Sequence, residues 1–200
     1  MTAEEVSKLV PGARGYSDVV RNGPETLIFS TSITKGIRVN EFNDYFESTG
    51  TASFRRFHGG KARHIKNYLN VHLSEIQPEN VIIQTGGNDL PTPRSNPVVV
   101  GDIVKEIIQS GLICRDYGVK NILISSVLPR RAQYMQIRCR ELNEILMEEC
   151  KLHGFIYIDN SNIDTKHLHH DGVHLSNEGS DLLANNYLFY LNSLYWDSTC

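Results

Sequence analysis

The stretch His170-Asp171-Gly172-Val173-His174-Leu175-Ser176-Asn177-Glu178-Gly179 sets a carboxylate and an imidazole three residues apart, just ahead of a helical pattern. A histidine that acts as a general base needs a partner on its other ring nitrogen to fix tautomer and orientation. Asp171, on the same loop, is suited to be that partner for His174. The pair lacks a nucleophile and a set of donors for a developing negative charge. Three other short segments offer them: Ser30-Thr31-Ser32-Ile33-Thr34, His58-Gly59-Gly60, and Thr85-Gly86-Gly87-Asn88-Asp89. A serine hydroxyl is a weak nucleophile until a base takes its proton, and Ser32 with His174 would satisfy that need. Gly59, at the entrance to a helix, presents a backbone N–H with the helix dipole behind it. Asn88 adds a side-chain amide, and the Ser32 backbone N–H a third donor. That inventory suffices for acyl transfer through a tetrahedral intermediate.

The elements around these segments explain how they would meet. Short apolar segments mark five strands at about 26–29, 52–57, 81–84, 121–127 and 155–158, and in the first the apolar residues run continuously. Such runs are expected of strands covered on both faces. Between them lie helical patterns at about 40–48, 62–76, 97–117, 133–153 and 178–194. In the second, Ile65, Leu69, Leu73 and Ile76 share a face and Pro78 closes the helix. In the third, Val100, Val104, Ile107, Ile108 and Gly111 recur at helical spacing, and Gly118 is a suitable stop. Strands alternating with helices predict an α/β domain with a mainly parallel sheet and helices on both faces. In such sheets, sites form in the loops beyond the carboxyl ends of the strands. The Ser32, Gly59 and Asn88 loops follow strands one, two and three, and the Asp171/His174 loop follows strand five. Residues 1–24, with Pro11, Gly12, Gly15, Gly23 and Pro24, read as a lead-in with a short helix at 3–9. Residues 25–200 read as a single domain.

Composition bounds the rest. The formal charge is −3 and the hydrophobic share 40%, which makes no whole-protein case for nucleic acid or an anionic membrane. No run approaches the roughly 18 apolar residues of a membrane span. Residues 1–9 carry Glu4 and Glu5 and no apolar run, so no signal peptide and an intracellular location are expected. Cys114, Cys139, Cys150 and Cys200 are scattered without a CxxC and read as reduced thiols. His167, His169, His170 and His174 lack both cysteine and regular helical spacing, so no metal is expected. Each functional segment also has a plainer reading: Ser32 as a helix cap, Gly59-Gly60 as a tight turn, Asn88-Asp89 as a turn or cap. Their order on one side of one sheet is what favours chemistry.

These residues resemble the blocks of the SGNH hydrolases, the GDSL-type esterases and lipases. Thr26 to Thr34 is similar to the first block, where Ser32 matches the nucleophile. Phe57-His58-Gly59-Gly60 resembles the second, whose glycine supplies an oxyanion N–H. Gly86-Gly87-Asn88-Asp89 closely resembles the third, whose Asn is another donor, and Asp171-Gly172-Val173-His174 the last, which holds the other triad members. The resemblance spans about residues 25–194. It implies a flavodoxin-like three-layer α/β/α sandwich with strand order 2-1-3-4-5, a serine esterase acting on O-acyl esters such as acetyl or short-chain esters, and no cofactor. It also implies catalytic Ser32, Asp171 and His174, with oxyanion donors Ser32, Gly59 and Asn88. Gly59 is preferred to Gly60 because the spacing to Arg63-His64-Ile65 then matches the helix that follows. The family's Gly-Asp before the serine is Ser30-Thr31 here, which removes a supporting charge and predicts reduced turnover. The rival expectation is a catalytically silent SGNH-like binding module; related domains are similar to accessory esterase modules of retroelements. A flavodoxin-like nucleotide binder fits poorly, since neither a Walker-type loop nor Gly-x-Gly-x-x-Gly follows strand one. Arg55, Arg56, His58, Lys61, Arg63, His64 and Lys66 crowd the second block. They read first as a solvated sheet edge and helix face, and second as a site for an anionic substrate or phosphate.

Overall fold

The computed structural model describes residues 25–45, 51–90 and 100–196. Five strands, β1 (Glu25–Thr31), β2 (Thr51–Phe57), β3 (Asn80–Gln84), β4 (Asn121–Ser125) and β5 (Ile156–Ile158), form one sheet in the order 2-1-3-4-5. Every neighbouring pair is parallel, with Thr26 opposite both Ala52 and Asn80, and Asn80 opposite Asn121. The helices are α1 (Val39–Tyr45), α2 (Ala62–Ile76), α3 (Val100–Asp116), α4 (Gln133–His153) and α5 (Asn177–Trp196). The sheet alternation divides the core in two. Leu27, Phe29, Val81, Ile83, Ile122 and Ile124 pack against α2, α3 and α4. Ile28, Ile82, Leu123 and Ile158 face α1 and α5, where Tyr187 is fully buried. This is the flavodoxin-like sandwich expected, and the continuous apolar runs are explained by a sheet covered on both faces.

The differences from the expected elements have local causes. The fourth strand leaves the ladder at Ser125, because the Val127 N–H and C=O bind the Asn143 side-chain amide at 2.7 and 2.8 Å, in place of a neighbouring strand. The fifth begins at Ile156, since the Phe155 N–H is taken by the carbonyl of Cys150 at the end of α4. Two 3₁₀ turns, Ser32–Gly36 and Thr165–His167, carry no periodicity that a sequence pattern detects. The expected helix at 3–9, and the ends at 46–48 and 97–99 of two others, lie outside the described residues. Cys114, Cys139 and Cys150 are free, buried thiols. Burial pushes them up to about 12, 11 and 12 respectively, so they are inert core residues. Among the described residues no helix is long and apolar enough to cross a membrane.

Candidate active site

Ser32 comes directly after β1 and opens the first 3₁₀ turn. The turn is anchored from below. The hydroxyls of Ser30 and Thr34 meet at 2.6 Å in the core. Arg56 of β2 donates from Nε to Thr34 Oγ1 and from Nη2 to the Ile37 carbonyl, both at 3.3 Å. Its guanidinium also lies 4.8 Å from the centre of the Phe54 ring, and burial lowers its pKa. A hydroxyl pair and a half-buried cation therefore hold the Ser32 turn; Thr31 itself is buried.

The loop of Asp171 and His174 reaches this turn from the other end of the chain. Asp171 Oδ1 accepts the backbone N–H groups of Val173 (2.8 Å) and His174 (2.9 Å), which curls the loop. Oδ2 lies 2.7 Å from His174 Nδ1, and His174 Nε2 lies 3.0 Å from Ser32 Oγ. Because a carboxylate only accepts, Nδ1 carries the proton and Nε2 is left to accept from the serine hydroxyl. The His174 side chain and then the two N–H groups hold the Asp171 carboxyl well below the usual carboxylate range. Arg131 clamps the same loop: its N–H donates to the Gly172 carbonyl, and its guanidinium to the carbonyls of His170 and His169 at 2.8 and 3.1 Å. The other histidines have separate tasks. His167 is buried, with Nδ1 accepting the Asp164 N–H at 3.0 Å. His169 and His170 pack ring to ring, centroids 3.9 Å apart. Among the described residues no group of three or more His, Cys, Asp or Glu side chains is placed to hold a metal ion.

The oxyanion candidates lie after β2 and β3. Gly59 adopts φ +65°, a conformation costly for residues with a side chain. The Gly60 N–H donates to the Phe57 carbonyl at 2.8 Å, closing the turn. Gly60 is therefore committed, whereas the Gly59 N–H has no hydrogen bond within the described residues. Asn88 donates from Nδ2 to the Gly60 carbonyl at 3.0 Å, which leaves its second amide hydrogen for a ligand. Next to it, Asp89 Oδ2 accepts the Ala62 N–H at 3.0 Å and so caps α2, tying the third-strand loop to the glycine turn. Burial raises the Asp89 pKa, opposed by that hydrogen bond and by Lys61, His64 and Arg63.

Sequence reasoning passed over the loop after β4. Arg130, in Pro129-Arg130-Arg131, donates from Nη2 to Asn88 Oδ1 at 3.4 Å and from Nη1 to the Val173 carbonyl at 3.2 Å. The available signal was its position: like the other four loops, it leaves the carboxyl end of a parallel strand. The basic cluster divides in the fold. Arg56 supports the Ser32 turn, Lys66 pairs with Glu106 at 2.6 Å, and Lys61 and Arg63 are exposed. A cavity of about 490 Å³ opens beside the ends of β4 and β5, where Ser126, Asn143, Asp159 and Asn160 line it, but none of the five candidate site residues does. Ser32 and His174 sit instead in a half-exposed position on the rim of the sheet, with Asp171 exposed beside them.

No family model matches the chain, and no curated protein matches it in sequence. Solved structures do match in fold. A lipase/acylhydrolase from Enterococcus faecalis aligns at 18% identity over 85% of this chain and 96% of its own, with a TM-score of 0.69. A GDSL-like lipase from Bacteroides thetaiotaomicron aligns at 15% identity, covering 89% and 92%, with a TM-score of 0.70. A catalytic mutant of an acetylxylan esterase from Geobacillus stearothermophilus aligns at 17% identity, covering 84% and 94%, with a TM-score of 0.71. The chain shares the fold of these hydrolases over nearly their whole length.

Proposed function

We propose that the protein is a serine esterase of the SGNH class that hydrolyses small O-acyl esters, acetyl esters among them. The observation that carries this reading is the unbroken line Ser32 Oγ–His174 Nε2–Asp171, at 3.0 and 2.7 Å, drawn from loops 142 residues apart. The named activities of the fold relatives, lipase, acylhydrolase and acetylxylan esterase, support ester hydrolysis in general. In the reaction, Ser32 Oγ bonds to the ester carbonyl carbon while His174 Nε2 takes the hydroxyl proton. The carbonyl π pair moves onto oxygen, where the Gly59 N–H and the Asn88 amide receive it, with the Ser32 N–H as third donor. Collapse of this intermediate breaks the bond to the alcohol oxygen, which leaves with the proton from His174. Water then repeats the sequence on the acyl-enzyme, releasing the acid and restoring Ser32. Asp171 keeps its charge throughout and stabilises the imidazolium.

A catalytically silent binding module is disfavoured by the assembled triad and by the Arg56–Thr34–Ser30 support that replaces the missing Asp. The deciding experiment is a p-nitrophenyl ester panel from acetate to palmitate, with Ser32→Ala as control, alongside fluorophosphonate labelling. Hydrolysis biased to short acyl chains and stoichiometric label on Ser32 are expected. Folded protein that neither turns over an ester nor takes the label on Ser32 would sink the esterase reading.

A further inference from the structure

Resting on that reading, we propose that Arg130 is a positioning residue that aligns the oxyanion amide with the acid–base loop. A primary amide has two nearly isosteric orientations, and only one turns its N–H groups toward the oxyanion. At Asn88 the choice is made from both ends: Gly60 offers a carbonyl to Nδ2, and Arg130 offers an N–H to Oδ1 at 3.4 Å. Flipping the amide would set its NH₂ against a guanidinium and its oxygen against a carbonyl. The same guanidinium donates from its other arm to the Val173 carbonyl at 3.2 Å, inside the turn whose N–H groups hold Asp171. A planar fork thus spans two loops that supply different parts of the chemistry, a geometry open to Arg and closed to the single ammonium of Lys.

The neighbouring glycine bears on the same contact. A Cβ on Gly87 would stand 2.7 Å from Arg130 Nη2, so the sequence Gly86-Gly87-Asn88 leaves room for the fork as well as shaping a turn. Gly87 does not have positive φ. Gly87→Ala should therefore fold and displace the guanidinium without removing its charge. The contact that binds Arg130 to Asn88 is long, and its effect is one of alignment: misplacement of a donor by about 1 Å costs on the order of 10²-fold in rate.

The test is a set of kinetic comparisons on the intact chain with p-nitrophenyl acetate. Arg130→Met should lower kcat by about ten- to a hundredfold and leave KM within about twofold. Arg130→Lys should be equally impaired. Gly87→Ala should reproduce a smaller loss in kcat that disappears in the Arg130→Met background. In the Asn88→Ala background, Arg130→Met should cost at most about threefold, since residues acting through one another are not additive. An unchanged kcat in both Arg130→Met and Gly87→Ala overturns the proposal while Ser32→Ala remains inactive and the esterase reading stands. Full rescue by lysine overturns the fork in favour of simple charge, and a raised KM at constant kcat makes Arg130 a substrate contact. Wild-type protein that is inactive on every ester overturns both readings together.

Discussion

The two arms of the candidate site are held by different kinds of contact. On the acid–base arm, every hydrogen bond of Asp171 closes within three residues: to Val173, to the His174 backbone and to the His174 ring. On the oxyanion arm, Asn88 reaches Gly60 across 28 residues and Arg130 across 42, while Asp89 caps α2 from 27 residues away. A local turn keeps its geometry as long as its own few residues are intact. An arm assembled from three loops depends on sheet register and helix packing, and small displacements in any of them are felt at the donor. The acid–base arm should therefore fail abruptly at its own residues, and more weakly at Arg131 and Arg130, which bind its carbonyls from 38 to 43 residues away. The oxyanion arm should degrade in graded steps from several positions.

The largest expected effect lies on the local arm. His174→Ala should lower kcat by at least about 10⁴-fold, and Asp171→Asn by up to about 10⁴-fold through a disturbed tautomer. Both variants should stay folded because neither side chain is part of the core, His174→Ala with its Tm nearly unchanged and Asp171→Asn with a small fall from the lost carboxylate; a large fall in Tm would merge this arm with the scaffold and erase the contrast. Next in size is Asn88→Ala, expected to reduce kcat about 10²–10³-fold with its Tm nearly unchanged. If rate and Tm fell together, Asn88 would be a turn residue and the oxyanion arm would lose its donor.

The pH profile sharpens the comparison. Asp171 is held well below the usual carboxylate range, chiefly by His174, so it stays ionised wherever an imidazole titrates. kcat/KM should therefore show no loss from protonation of Asp171 at the ordinary carboxylate value of about 4. A loss of one proton's order at that value would mean that Asp171 is not held ionised by the loop. As a depressed carboxyl, Asp171 contributes stability that is present above the ordinary carboxylate value of about 4 and lost as acid carries the pH down through its folded value. Smaller again is Asp89→Ala, which removes the cap of α2: about 1 kcal/mol, or roughly 2–4 °C in Tm, with a modest fall in kcat as the glycine turn shifts. The smallest effect is expected from EDTA and from substitution of His167, His169 and His170. Activity should survive both treatments once the burial of His167 is respected by His167→Gln; loss of activity to chelator would make this a metallohydrolase.

The five strand positions, the helices at 62–76 and 133–153, and the Asp-x-x-His turn were legible in the chain because each rests on period or spacing over a few residues. Apolar runs report a sheet covered on both faces, and Ile65, Leu69 and Leu73 report a helix face, whatever the rest of the molecule does. Tertiary structure alone decided the 3.0 Å at which Ser32 meets His174, that the Gly60 N–H is spent on Phe57 and the Gly59 N–H is not, and that Arg130 joins Asn88 to Val173. It also decided which cations of the second block are structural, since Arg55 and Arg56 are neighbours in the chain but point to opposite faces of β2. Spacing along a chain sets turns and faces. Which loops share a rim, and at what separation, follows from strand order and from the register of parallel pairs, and no local pattern carries that information.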